Sequence, residues 1–471
     1  MGFGGLYISV SGINANKKAL DTVSHNIANV NNPNYVRQSA IHSERSSTRD
    51  ETGFPRGTGV NTQNIRQIRD EFLDIKLRRE MATFGYHSTK SEILNQVETI
   101  FNEISSSGLQ NVMDEFWDGW AELYKEPDSL TIRGIVHENA VAFTTTVNHI
   151  STQLRDLQFE LNKEMLNKAN EVNTLLAKMA EFNSHIKRIE GYGPHVSAND
   201  FRDERNAVLD RLAELIPITH YENQYGEEVV SLFGKDLVSS GGFSPVDIEL
   251  NSKGHGEIYW SDTGGSIDLK GLGELGGYID ARDSVVVEYQ ERLNILVERL
   301  GEAINEIHMS GKDLHGGDGL PFFVGLDSQD PAAAIRVNPS LGSFERIAVS
   351  ESGAIGDGEK AKEILDLRER PLFSAYGDHD DTPIMSIDRF YRELVMSIGL
   401  ERQQSRTMVE NQQTLIDQIR NRRQEISSVS LDEEMADMLK YQHSYIANSR
   451  VINAIDEMID LVVNRMGIAG R

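Results

Sequence analysis

Apolar side chains recur at every seventh residue near both ends of this chain. Leu6, Ile13, Leu20 and Ile27 form one series, with Val10, Val23 and Val30 near the complementary positions. Leu431, Met438, Tyr445, Ile452, Ile459 and Met466 form the other. A seven-residue repeat lays one narrow stripe along a helix, the mark of a coiled-coil seam. The first helix should stop near Asn29, where Asn31-Asn32-Pro33-Asn34 supplies a turn and Asn34 is able to take positive φ. The second should begin at Leu431, with Ser430 as its N-cap, Glu433 completing a capping box, and Gly467 closing it. Neither stripe can bury itself, so the two ends should lie together. Their strict spacing and narrow width favour packing between molecules over an ordinary core face.

Between the ends the period changes. Residues 87–126 read as helix, ended by Pro127. From Glu138 to Glu190 there is neither Gly nor Pro, which allows one helix about 80 Å long. Its apolar positions Val147, Ile150, Leu154, Leu157, Leu161 and Met165 step by three and four, with a stutter between Leu161 and Met165. Further helices are expected over 200–215, 280–309 and 384–429. Residues 217–278 hold twelve glycines and short β-favouring runs such as Glu228–Phe233 and Glu257–Trp260, which reads as antiparallel strands with tight turns. Residues 320–383 look similar, with strands near Ile335–Val337 and Ile347–Val349 and an acidic loop at Asp378–Asp381.

The expected fold is therefore α+β and mainly helical. Paired terminal coiled-coil helices flank a long-helix bundle into which small antiparallel β regions are inserted. The expected domains are a terminal coiled-coil unit (1–40 with 430–471), a helical middle (41–216, 279–319 and 384–429) and a β-rich outer region (217–278 with 320–383). A length of 471 residues suits about three such units.

Charge narrows the functions. There are 73 acids and 47 bases, a net charge of −26, which argues against a nucleic-acid partner. The balance is uneven: residues 1–79 carry 11 bases and 7 acids, whereas 190–390 hold 38 acids and 17 bases. No run of 18 apolar residues occurs, so no membrane insertion is expected, and no secretory signal peptide is apparent. Cysteine is absent, which removes disulfides and thiolate chemistry.

Catalytic patterns are lacking, and no catalytic residue, cofactor site or metal site is assigned. His137-Glu138 opens a zinc-helix pattern, but position 141 is Val, so the second ligand is missing. The most site-like cluster is His308, Asp313, His315 and Asp318, which a metal-dependent hydrolase could use. Its spacing matches no standard ligand set, and Gly316-Gly317-Asp318-Gly319 is ordinary turn chemistry. The Gly377–Asp381 segment lacks the downstream Glu of a calcium loop.

Two terminal motifs carry a resemblance. Ser11-Gly12-Ile13-Asn14-Ala15, Ala19-Leu20 and Ser24–Asn31 resemble the N-terminal signature of bacterial flagellar axial proteins, the rod, hook and hook-associated proteins. Within it the family-motif residues are Asn26, Ile27, Ala28, Asn29, Asn31, Pro33, Tyr35, Arg37 and Gln38, and Tyr35-x-Arg37-Gln38 is similar to the hook-associated branch. So are Leu431–Met435, Asn464-Arg465-Met466, Asn199–Arg205 and Gly276–Asp283. His25 departs from the pattern where Asn is common, and Asn34 where Gly is usual.

The resemblance implies a structural protein, not an enzyme. It would be exported through the flagellar type III apparatus, assemble at the hook tip and form the adaptor on which the filament is built. The implied partners are further copies of itself, the hook protein, the second junction protein, the filament cap protein, an export chaperone and the export apparatus. On this reading the two heptad stripes are the assembly interface. Another axial protein is the alternative.

Overall fold

The computed structural model describes residues 4–49, 55–101, 108–193, 196–240, 242–252, 254–269, 271–374 and 383–465. Met466, Gly467 and the Gly377–Asp381 segment lie outside them. The chain opens with helix α1 (Gly4–Ala28), followed by strands β1 (Gln38–Glu44), β2 (Thr48–Arg49), β3 (Pro55–Arg56) and β4 (Val60–Gln67). Antiparallel pairing of β1 with β4, with a bulge at Ile41/His42, makes a hairpin whose inner pair is β2 with β3. Helices α2 (Glu71–Phe101), α3 (Leu109–Lys125), α4 (Leu130–Glu190) and α5 (Asn199–Leu215) follow.

A four-stranded antiparallel sheet comes next: β5 (Ile218–Glu222), β6 (Glu228–Leu232), β7 (Lys235–Ser239) and β8 (Gly242–Phe243), paired in chain order. The β6–β7 turn is Phe233-Gly234, both at positive φ, as a two-residue hairpin of this hand requires. Strands β9 (Val246–Leu250) and β10 (Gly256–Trp260) form a separate hairpin. Helix α6 (Gly273–Asp280) runs through a π-helical turn at Ala281–Val285 into α7 (Val286–Ser310). The remaining elements are β11 (Phe323–Val324), α8 (Pro331–Ala334), β12 (Arg336–Val337), α9 (Glu359–Asp366), α10 (Ile387–Ser427) and α11 (Leu431–Asp460).

Helix α4 is the spine. At 61 residues it is about 90 Å long, and it serves two separate cores in succession. Val136 to Leu161 pack with α2, α3 and α7 in the first, while Met165 to Met179 pack with α5, α6 and the sheet strands in the second. The stutter between Leu161 and Met165 thus marks the switch from one core to the other. Asn162 sits at that switch, accepting hydrogen bonds from Gly256 N and the buried Arg282 guanidinium at 2.8 and 2.7 Å. A third, small cluster joins Leu77 and Met81 of α2 to Ile416 and Ile419 of α10.

Close backbone approach explains the Gly276-Gly277 motif. A methyl on Gly276 would come within 1.9 Å of Leu269 O, and one on Gly85 within 2.5 Å of Glu214 O. Gly85 thus lets α2 meet α5 and the start of α6 at backbone distance, and Gly276 lets α6 fold back on the segment that precedes it.

Several expectations are corrected. Helix α2 begins at Glu71, well before 87, and a second helix replaces its expected continuation to 126. Its first turns hide buried Asp74 and Arg78, so polar residues stand where an apolar stripe was sought. Residues 320–374 do not share a β-rich region with 217–278. Phe322, Phe323, Ile335, Leu341, Ile347 and Ile364 wedge into the first core, and only two-residue strands form there. Asn34 does not take positive φ; its N–H donates to Asn32 Oδ1 at 3.1 Å, which closes the turn without a left-handed residue. Ser430 makes no side-chain cap bond.

Phe116 is the centre of the first core's aromatic cluster, with Trp117, Trp120, Phe143 and Phe323 rings at 5.1, 6.2, 5.9 and 6.2 Å. Phe116→Ala should cost about 3–5 kcal/mol. Thermal unfolding followed by circular dichroism checks this, and an unchanged midpoint would contradict the packing described.

Candidate assembly interface

Helices α1 and α11 lie antiparallel, and small residues let them close up. A methyl on Gly5 would meet Ile455 at 3.2 Å, and one on Gly12 would meet Asn448 Oδ1 at 2.8 Å. Further along, Asn26 Nδ2 donates to Glu434 Oε2 at 2.9 Å. Each step of seven along α1 is matched by a step of seven back along α11. The seam on α1 is therefore Gly5, Gly12, Ala19 and Asn26, one position before the apolar series seen in the sequence.

That offset decides where the large side chains go. Leu6, Ile13, Leu20 and Ile27 stand half-buried at the edge of the seam. On α11, Met438, Ile452 and Ile459 are half-buried, whereas Leu431 and Tyr445 are exposed. The outward faces remain apolar: Tyr7 and Val10 on α1, and Met435, Leu439, Ile446 and Val451 on α11, are all at least 40% exposed. Pairing within one chain thus covers one face of each helix and leaves the other open to water.

The family-motif residues form a buried polar knot where α1, β1 and α11 meet. Asn26 uses its whole amide: Nδ2 donates to Gln38 O and Glu434 Oε2, both at 2.9 Å, and Oδ1 accepts from Gln38 N at 3.0 Å and Tyr35 OH at 2.7 Å. Arg37 Nε donates to Glu434 Oε1 at 2.7 Å, and its Nη1 reaches Glu433 Oε2 at 2.6 Å. Glu434 is 1% exposed, and a buried carboxylate without such partners costs several kcal/mol. Burial works to lower the Arg37 pKa, but Glu434 and Glu433 outweigh it and the net shift is upward. Burial first, then the charges of Asp203, Asp200 and Glu434, push the Tyr35 phenol up, so it remains a donor. His25 stands edge-on to Tyr35, with Nδ1 3.3 Å from the phenol oxygen. Asn29 donates from Nδ2 to His25 O at 3.0 Å, while Ala28, Asn31 and Pro33 are exposed.

A second layer ties this knot to α5. Asn199 Nδ2 donates to Gln38 Oε1 and Ile65 O, both at 3.0 Å. Asp203 accepts from Val36 N at 3.3 Å and Gln67 Nε2 at 2.6 Å. The same motif continues outward, where Arg202 bridges Glu190 and Glu222 and Arg205 bridges Glu222 and Glu228. The Asn199–Arg205 segment is thus a row of anchors on one helix.

The metal candidates do not converge. His308 is fully buried, with Nδ1 2.5 Å from Leu320 O and Nε2 accepting from Ala348 N at 2.8 Å. Both ring nitrogens are committed to backbone. Asp313 Oδ1 accepts from the N–H groups of His315 and Gly317, Asp318 pairs with Lys312, and His315 stands 3.3 Å from Glu345. The cluster is a turn fastened to a structural histidine.

Sequence reasoning missed the small-residue seam, although Gly5, Gly12 and Ala19 carry the same seven-residue spacing as their larger neighbours. It also missed Glu434 as the partner of Asn26 and Arg37. It read that stretch as a helix start and as part of the family resemblance, with no partner assigned to Glu434.

The comparisons agree with this layout. A family model of the flagellar hook-associated protein FlgK helical domain matches residues 94–323. Models of the flagella basal body rod protein and of the flagellar basal body rod FlgEFG protein C-terminal match 6–35 and 420–466. Flagellar hook-associated protein 1 of Bacillus subtilis is 28% identical over 518 residues, covering 100% of this chain and 99% of that protein. The chain belongs to the FlgK family. The Escherichia coli protein of the same name is 21% identical, over 97% of this chain and 98% of its own length. The flagellar hook junction protein FlgK from Burkholderia pseudomallei shares the fold, with a TM-score of 0.62 at 12% identity, covering 76% of this chain and 100% of that one. Membership of the FlgK family makes this a structural flagellar protein, a class that self-assembles with rod and hook components.

Two outcomes are expected. Asn26→Ala would leave Gln38 N–H and the Tyr35 hydroxyl short of an acceptor and Glu434 short of a donor, at about 1–3 kcal/mol. Amide exchange in α1 and α11 should accelerate on the order of tenfold or more while α4 keeps its protection; equal acceleration throughout would mean the ends are not a separate unit. Burial pushes His308 down from 6.5 to about 4. The unfolded chain therefore binds a proton that the folded one refuses as pH falls from 6.5 towards 4, and stability is lost in that window. The gap in Tm between the wild type and His308→Asn should narrow over the same range.

Proposed function

We propose that this chain is the adaptor at the hook–filament junction: it leaves the cell through the flagellar type III apparatus, assembles on the hook tip and presents the surface on which the filament is built. The observation that carries this reading is the paired terminal helices of a FlgK-family chain with their outer faces apolar and exposed. Such faces are costly in water, and neighbouring copies offer a matching surface. The assembly interface comprises Leu6, Ile13, Leu20, Ile27, Leu431, Met438, Tyr445, Ile452 and Ile459, extended by Met435, Leu439 and Ile446. Met466 continues the series. Covering these faces couples final ordering of the ends to incorporation, which limits polymerisation inside the cell.

The partners on this reading are further copies in the same ring, the hook protein on one side, the second junction protein on the other, and the filament cap protein during growth. An export chaperone would shield the C-terminal helix before secretion. The acidic β-bearing region around β5–β10 faces solvent and keeps the assembly soluble.

The absence of cysteine makes a test direct. Ser252→Cys places one thiol in the exposed β9–β10 turn. Maleimide-coupled gold on live cells should appear in a short zone where hook meets filament. In the same background, Ile446→Asp should abolish that label while the protein appears in the medium, because the residue is 46% exposed and its loss spares the fold. Label along the whole hook would move the chain to a different axial role. Normal incorporation of Ile446→Asp would remove the α11 face from the interface.

A further inference from the structure

The terminal module (α1, α11 and the β1–β4 hairpin) is joined to the helical body in an unusual way. Among the described residues, none of the side chains in the three apolar cores comes from α1, β1, β4 or α11. Polar contacts hold the joint: Val36 N and Gln67 Nε2 to Asp203, Asn199 Nδ2 to Gln38 Oε1, Ser197 Oγ to Asn64 Oδ1, and Arg37 N to Ser427 O at 2.9 Å. The covalent connections are two and short, namely Ile68–Asp70 between β4 and α2 and the extended Ser428–Ser430 between α10 and α11. A cleft of about 640 Å³ opens between the turn over 29–37, the middle of α5 at Ala207 and Asp210, and the end of α10. A polar joint with thin connections and an open cleft beside it is the geometry of a hinge, because little apolar area is lost when it opens.

Asp203 sits at the centre of this joint, 6% exposed. Among the described residues, no Lys, Arg or His forms an ion pair with it. The nearby cations are engaged elsewhere: Arg69 pairs with Asp74, and Arg423 with Asp74 and Asp210. The remaining charged or titratable neighbours are Asp200 on the same helix, Tyr35 in the turn, and Glu434 on α11, itself paired with Arg37.

We propose that Asp203 is a proton-operated latch, holding the terminal module against the helical body while its carboxyl is neutral and releasing it when the carboxyl ionises. Release exposes the side chain to water, so the charged form is stabilised only in the open state. Burial pushes the Asp203 carboxyl from 3.8 up to about 7. The Val36 N–H and the charge of Arg69 pull the other way, Asp200 adds to the rise, and the Gln67 amide opposes it. The sign follows from proton linkage. The docked state keeps a proton that the open state has already lost, so docking is strongest below about 4 and fades as pH rises through 7. Between those two values one proton is released per opening and the docked-to-open ratio falls about tenfold per pH unit; above about 7 both states are ionised and the ratio no longer changes.

The test uses the full chain with spin labels at Lys76→Cys on α2 and Gln442→Cys on α11, both exposed positions. Double electron–electron resonance should give one narrow distance near pH 4, and a second, longer component that grows as pH rises towards about 7 and levels off above it. Asp203→Asn, neutral at every pH, should stay narrow throughout. Asp200→Asn, an exposed change that removes the neighbouring charge, makes the ionised docked form less costly, so the long component should level off at a lower pH and at a smaller fraction. A wild-type distance that ignores pH, or growth of the long component in Asp203→Asn, would overturn the latch. Should Asp203→Asn fail to fold by circular dichroism, Asp200→Asn decides alone, and a long component identical to that of the wild type refutes the proposal.

Discussion

The contact on which the rest of the molecule depends is the buried meeting of Asn26, Arg37 and Glu434. It joins positions 408 residues apart and turns the two ends of the chain into one unit. Without these donors Glu434, at 1% exposure, would have buried oxygens lacking hydrogen-bond partners, and Asn26 could not satisfy its amide without Gln38 and Tyr35. Buried polar networks of this kind hold only one register, because a slip of either helix strands a charge. Apolar packing alone would leave the α1–α11 pair free to slide by a heptad. The knot fixes both the register and the direction in which the outer apolar faces point.

Around this unit, the body is organised by one continuous helix. Because α4 serves two cores in succession, the helical middle and the sheet-bearing region cannot rotate independently without breaking the Asn162–Arg282–Gly256 node between them. Rigidity in the body and a polar joint at the terminal module are complementary. A long strut transmits orientation, and a hydrogen-bonded joint allows the assembling part to adjust. The direction of the Asp203 shift gives that joint a chemical control that apolar packing could not provide.

The residues that resemble the axial-protein family are in large part those that hold such joints. Asn199, Arg202, Asp203 and Arg205 lie on one helix and reach β1, β4, β5, β6 and the end of α4. Gly276 permits a backbone contact that any side chain would block. By contrast, the cluster that looked most like a catalytic centre reduces to a turn. His308 spends both nitrogens on backbone, and the acids near it close turns or pair with lysine.

Helix existence, the long spine and the heptad character of the ends were legible in the sequence, because helical periodicity is a local property carried by residues three, four and seven apart. The stutter at Leu161–Met165 was visible too, though its meaning as a change of core was not. What only the tertiary structure decided was which of two adjacent heptad series forms the seam. Gly5, Gly12 and Ala19 win that place over Leu6, Ile13 and Leu20 because the helices approach too closely for larger side chains. It likewise decided that residues 320–374 belong to the first core, since two-residue strands carry no period of their own. The polar knot and the Asp203 joint were beyond sequence reasoning for the same reason. A hydrogen-bond partner hundreds of residues away leaves no pattern along the chain, and burial, which sets the cost of a charge, exists only once the chain has folded.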